Sequence, residues 1–206
     1  MEYLRDPEAI YAASFAVIHA EAELDQFGPS FRAIAARMIH ACGMPEIASD
    51  IRASDDAATA VARALAAGAD ILCDCEAVGA GIAQRALNGS ALVVTLNDER
   101  VPDLARALQT TRSAAAVELW RERLAGAVVV IGNAPTALFH LLELLDAGAP
   151  RPAAIIAAPV GFVGAAESKR ELVRDPRGVP YITLLGRRGG SAIASAALNA
   201  IAKGLP

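Results

Sequence analysis

The sequence predicts one α/β domain over residues 1–206, doubly wound, with a five-stranded, mainly parallel sheet and an N-terminal helical pair. Three observations carry that expectation. Short runs apolar on both faces ("ADILCD", "SALVVTL", "GAVVVIG", "AAIIAAP" and "VPYITLL") read as strands covered on both sides. Helix-patterned segments separate them, beginning near Ser54, Glu76, Pro102, Arg112, Pro135, Ala165 and Ser191. The stretch before Ser54 lacks such runs and holds two helical patterns instead.

Taken in order, Asp6-Pro7 reads as an N-cap followed by proline at the first helical position, and Ile10, Val17 and Ile18 continue that helix to about Glu23. Gly28-Pro29 restarts the chain. Phe31, Ile34, Ala35, Met38, Ile39 and Cys42 then recur at helical spacing until Gly43 supplies a stop. "SDDAATAVARALAAG" has a serine cap, an acidic first turn and a terminal glycine. In a sheet of this type ligands bind beyond the carboxyl ends of the strands. The segments expected there are "CDCE", "LNDE", "GNAPT", "PVGFVGAAESK" and "GRRGGS".

Composition narrows the function classes. With 206 residues, 54% hydrophobic and 20% charged, the chain can bury one sizeable core and has neither a charge block nor a linker. A net charge of -4 gives no basic face for nucleic acid or an anionic membrane. No apolar run reaches the roughly 18 residues of a membrane span. The start, "MEYLRDPEAIYAASF", lacks the order of a signal peptide, and three cysteines (Cys42, Cys73, Cys75) are an odd number. Reduced thiols in the cytoplasm are the expectation.

Placing the second helix's residues at about 100° intervals sets His40 almost opposite the apolar stripe, beside Ala33, Ala36 and Arg37. Two readings fit: an exposed histidine on an ordinary surface, or a group facing a ligand that lies against small residues. His19 has Glu23 at i+4, a common solvated pairing, and His140 in "LFHLLELL" reads as a satisfied, partly buried histidine. In "PVGFVGAAESK", backbone N–H groups, a helix start and Lys169 suit a carboxylate or phosphate, with a tight turn and capping glutamate as the plain alternative. "GRRGGS" repeats that logic with Arg187, Arg188 and Ser191. Arg112 opens a helix, where a cation opposes the dipole and so points to a ligand. Neither dinucleotide nor Walker fingerprint is present, nor a serine-hydrolase elbow. That counts against a nucleotide-binding, flavodoxin-like protein. Cys73 and Cys75 lack two further ligands, so no zinc site is expected.

"SF" at 14–15, "RMIHACG", "TTRSAAAVELW", "GNAPTAL", "PVGFVGAAESK" and "GRRGGSAIASAALNA" together resemble the precorrin-8X methylmutase (precorrin isomerase) family of cobalamin biosynthesis. The resemblance runs in order from about residue 4 to residue 203. One departure is "CDCEAVGAGI", where Ala77 stands in place of the family's frequent methionine. The resemblance implies an isomerase that needs no cofactor and no metal, and that moves a methyl group from C-11 to C-12 of a tetrapyrrole to give hydrogenobyrinate. It implies His40 as proton donor and acceptor, with Ser14 and Arg37 contacting substrate. A polycarboxylate substrate makes Arg112, Lys169, Arg187 and Arg188 further binding candidates. It also implies a homodimer with sites near the subunit interface, and hand-off of product to the next corrin-pathway enzyme is a further expectation. Two other readings stand beside it: a corrinoid carrier without activity, and the cobalt-precorrin-8 methylmutase of the anaerobic branch.

Overall fold

The computed structural model describes residues 1, 3–87 and 89–204. The expected N-terminal pair is present. α1 (Pro7–Glu21) opens as its residues dictate, with Pro7 in the first turn and the Asp6 carboxylate accepting the Ala9 N–H at 3.1 Å. It stops at Glu21, because Ala22 turns extended, so Glu23 lies beyond the helix and forms no pair with His19. α2 (Pro29–His40) ends where Gly43 takes a left-handed φ of 68°, with its N–H on the Ile39 carbonyl.

The sheet has six strands, one more than expected, in the order β1-β6-β5-β4-β2-β3. The five expected runs give β2 (Ile71–Cys73), β3 (Leu92–Val94), β4 (Val128–Ile131), β5 (Ala154–Ala157) and β6 (Tyr181–Leu184), all parallel to their neighbours among these five. The extra strand, β1 (Ile51–Ala53), lies antiparallel against β6 at the edge. Three residues with a cation in the middle carry too little periodicity to announce a strand. Ser54, expected as a helix cap, instead prolongs this pairing: its N–H donates to the Tyr181 carbonyl and its hydroxyl accepts the Tyr181 N–H, each at 3.0 Å. The cap position of α3 (Ala57–Ala66) falls to Asp56.

The remaining helices are α4 (Glu76–Gly81), α5 (Val101–Ala107), α6 (Arg112–Glu118), α7 (Pro135–Asp146), α8 (Ala165–Arg174) and α9 (Ser191–Ala202). They cover the sheet on both faces, as its alternation requires. Val128 and Val130 join one apolar layer with α3 and α9, while Val129 and Ile131 join the other with α7. Each fully buried aliphatic side chain contributes about 1.5–3 kcal/mol of transfer free energy. The chain's one tryptophan, Trp120, is buried in the α7 layer, its indole N–H donating to the Thr95 hydroxyl at 2.9 Å. α2 packs on α9, and α1 packs on α2. The histidine-bearing pair is therefore an outer layer, separated from the sheet by α9. Among the described residues, no helix is long and apolar enough to cross a membrane.

Candidate active site

His40 and Arg37 sit in the last turn of α2, where helix carbonyls favour nearby positive charge. The helical wheel placed them on the side away from the core, and His40 is exposed. The small-residue face beside them is not open surface, however. Ala36 is 1% exposed, and with Ala33 it floors a cleft of about 420 Å³ walled by α1 and by the end of α9. A smaller hollow of about 130 Å³ holds His40 itself, against Ala196, Asn199 and Lys203.

Two aromatic side chains of α1, one turn apart, face this cleft. The Phe15 ring stacks on the His40 imidazole at 5.1 Å and 18°, and Tyr11 lies 6.2 Å from it at 50°. The Arg37 guanidinium rests over the same two rings, 5.0 Å from Tyr11 and 5.1 Å from Phe15. Ser14 shares that turn of α1 and back-bonds its hydroxyl to the Ile10 carbonyl at 2.8 Å.

The charges lining the cleft and the hollow are all basic: Arg32, Arg37 and Lys203, with His19 and His40. Among the described residues, no carboxylate lines either. Arg37 and Lys203 have no ion pair among the described residues. Arg32 meets the fully exposed Asp25 at 3.3 Å, yet its Nε is buried without an acceptor. Arg32, Lys203 and Tyr11 escaped the sequence reading. Lys203 did leave a trace, since the chain has only two lysines and this one ends an otherwise uncharged helix.

The other lysine and the remaining candidate arginines stand elsewhere, around the carboxyl ends of the strands. Lys169 is 0% exposed, its ammonium on the Arg188 carbonyl at 2.6 Å, and burial pushes its pKa down to about 8. Arg188 pairs with Glu46 at 3.0 Å and Asp50 at 3.5 Å. Arg112 donates to the Leu96 carbonyl and to the Asn97 side chain, which in turn donates to Glu76. Arg187 is exposed, and its guanidinium lies 5.7 Å from the ring of Phe162. The "GNAPT" segment, one of those expected at the strand ends where ligands bind, has its amides already engaged by a carboxylate. Asp74, 2% exposed at the end of β2, accepts the N–H groups of Gly132, Asn133 and Ala134 at 2.8–3.0 Å. Burial pushes its carboxyl pKa up despite those bonds. The loops "PVGFVGAAESK" and "GRRGGS" are stitched together by Gly161 N–H on the Arg187 carbonyl and Gly190 N–H on the Ala158 carbonyl. Gly189 permits the contact, because a Cβ there would stand 2.2 Å from the Ala158 oxygen.

His140 is satisfied as expected, with Nε2 2.7 Å from Glu118 and Nδ1 3.4 Å from Glu143. Cys73 and Cys75 are buried thiols, and burial pushes Cys73 up to about 12.

The family model for precorrin-8X methylmutase matches residues 9–204. The precorrin-8X methylmutase of Pseudomonas aeruginosa is 57% identical over 203 residues, covering 98% of each chain. The cobalt-precorrin-8 methylmutase of Priestia megaterium is 36% identical, covering 95% of this chain and 87% of its own. A solved precorrin-8X methylmutase from Thermus thermophilus superposes with a TM-score of 0.85 at 40% identity, covering 95% of both chains. With a family match over nearly its whole length and a relative of that identity, the chain belongs to the precorrin-8X methylmutase family.

Proposed function

We propose that this chain moves the C-11 methyl group of precorrin-8X to C-12, giving hydrogenobyrinate, with His40 giving and recovering one proton. The observation that carries this is the cleft. In a chain of net charge -4, it is lined by cations and, among the described residues, no carboxylate lines it and one buried guanidinium nitrogen has no acceptor. A tetrapyrrole bearing several carboxylates matches that deficit, its apolar ring lying against Ala33 and Ala36 while Arg32, Arg37 and Lys203 take its rim. Ser14 and Arg37 keep the substrate-contact role that the family resemblance implies.

The reaction balances without a co-reactant. A proton delivered to the conjugated ring redistributes its electron density, the methyl group shifts between adjacent carbons, and the proton returns to the imidazole. The expected result is that His40→Ala lowers the rate by about 10²–10⁴-fold, followed by the visible spectrum of the product, while product binding stays measurable. Full activity in that variant overturns the role of His40. The metal-free substrate is favoured over its cobalt analogue by the higher identity to the precorrin-8X relative, and turnover of both substrates side by side decides it.

We further propose a homodimer. α1 carries apolar residues on more than one side but buries only Ile18, leaving Ile10 and Val17 about half exposed with Tyr3 and Leu4 before them. Sedimentation at assay concentration is expected to give a dimer, and a fully active monomer overturns this.

The Phe162–Val163 tip and Arg187 are exposed at the carboxyl edge, and together with Arg188 and Arg112 they form the second set of binding candidates. Arg188 and Arg112 reach a substrate only by leaving the partners they now hold, whereas Lys169 supports the "GRRGGS" loop from behind.

A further inference from the structure

A histidine that exchanges protons with a substrate must hold its ring plane and aim its nitrogens. The usual device is a hydrogen bond from the second ring nitrogen to a carboxylate or carbonyl. Among the described residues, neither ring nitrogen of His40 has a hydrogen-bond partner, and no carboxylate lines its hollow or the adjoining cleft. What the imidazole does have is a face. Phe15 lies nearly parallel to it at 5.1 Å, and Tyr11 closes at 6.2 Å and 50°.

We propose that Phe15, assisted by Tyr11, is the positioning residue for His40: aromatic stacking, in place of a hydrogen bond, fixes the imidazole plane and keeps both nitrogens free at the ring edge. The inference rests on the acid–base reading of His40. Stacking restrains the ring normal but leaves the in-plane edge open, where a proton enters and leaves. It also supplies a π face toward the positive charge that His40 carries before it gives its proton and after it recovers it, in a hollow where the other charged neighbours, Arg37 and Lys203, are cations. Arg37 rests on the same two rings, so the shelf orders the acid–base group and a substrate-contacting cation together.

Phe15→Leu keeps an apolar side chain and removes the π face. The expected result is a fall in kcat on the order of tenfold to a hundredfold with KM within about twofold, and recovery in Phe15→Tyr. In proton NMR of the ligand-free protein, the His40 ring resonances, shielded by Phe15, move downfield in Phe15→Leu and stay in place in Phe15→Tyr. Tyr11→Leu alters an exposed ring and is expected to lose about twofold to tenfold in kcat. It keeps the test standing if Phe15→Leu does not fold, and a wild-type kcat there would then overturn the proposal. A wild-type kcat in folded Phe15→Leu, a loss confined to KM, or unmoved His40 resonances overturns it as well. An inactive His40→Ala beside a fully active Phe15→Leu removes the positioning role alone. A fully active His40→Ala removes the acid–base reading and the positioning role together.

Discussion

The two cation-bearing regions of the molecule differ in what their charges are doing. Around the carboxyl ends of the strands, nearly every charge is already engaged: Asp74 by three backbone amides, Lys169 by a carbonyl, Arg188 by two carboxylates and Arg112 by the Leu96–Asn97 loop. In the cleft between α1, α2 and α9, Arg37 and Lys203 have no ion pair among the described residues, and a buried nitrogen of Arg32 has no acceptor. Doubly wound sheets bind ligands at the carboxyl edge, where strand order reverses. Here that reversal lies between β2 and β4, and the protein's own carboxylate fills it. Under the proposed function, unspent hydrogen-bonding capacity marks the ligand site better than position in the fold does.

Removing the carboxylate at the switch point is the harshest way to test that contrast. Asp74→Ala leaves three N–H groups, one buried and two part-buried, without their acceptor, and a loss of about 2–4 kcal/mol in unfolding free energy is expected by denaturant titration. A loss under about 1 kcal/mol would mean that the edge is wet and open, and the contrast would fail. Lys169 gives the next largest effect. Its pKa in the fold, about 8 against an ordinary 10.5, means that the unfolded chain holds the proton more firmly between those values. Its contribution to stability is therefore present above about pH 10.5 and is lost as pH falls through 8. The stability difference between wild type and Lys169→Met is expected to change by up to about 3 kcal/mol over that window, and a flat difference would place the lysine in water.

On the other side of the comparison, Lys203→Met is expected to raise KM about tenfold to a hundredfold with an unchanged Tm, since under the proposed function it removes a charge-assisted contact to substrate and, among the described residues, no internal ion pair. An unmoved KM would take the substrate out of the cleft. The smallest effect belongs to Arg188→Met, whose half-exposed ion pairs are worth less than about 1 kcal/mol of stability. A KM rise matching that of Lys203→Met would show that Arg188 leaves Glu46 and Asp50 for the substrate, and would join the two regions into one site.

Much of the fold was legible because it rests on local rules. α4, α6, α7, α8 and α9 begin at Glu76, Arg112, Pro135, Ala165 and Ser191, the residues at which the pattern changes. The strands β2 to β6 declare themselves by being apolar on both faces. β1 does not, because Ile51-Arg52-Ala53 owes its pairing to Tyr181–Leu184, far along the chain. The site divides the same way. His40 and Arg37 turn outward by helical geometry alone. Nothing local brings Lys203 beside His40 or lays Phe15 on its ring, since both depend on how α9 and α1 cross α2. The partners of Arg188 and Lys169 are equally non-local, so an exposed cation and a buried one looked alike in the sequence.

Trp120 sits beneath α7, across the sheet from the cleft. Its emission therefore follows the packing of the distant core, while a corrin in the cleft announces itself by its own visible absorption. Unfolding and turnover in every variant above can thus be followed in one cuvette on two separate optical channels, one belonging to the protein and one to the pigment.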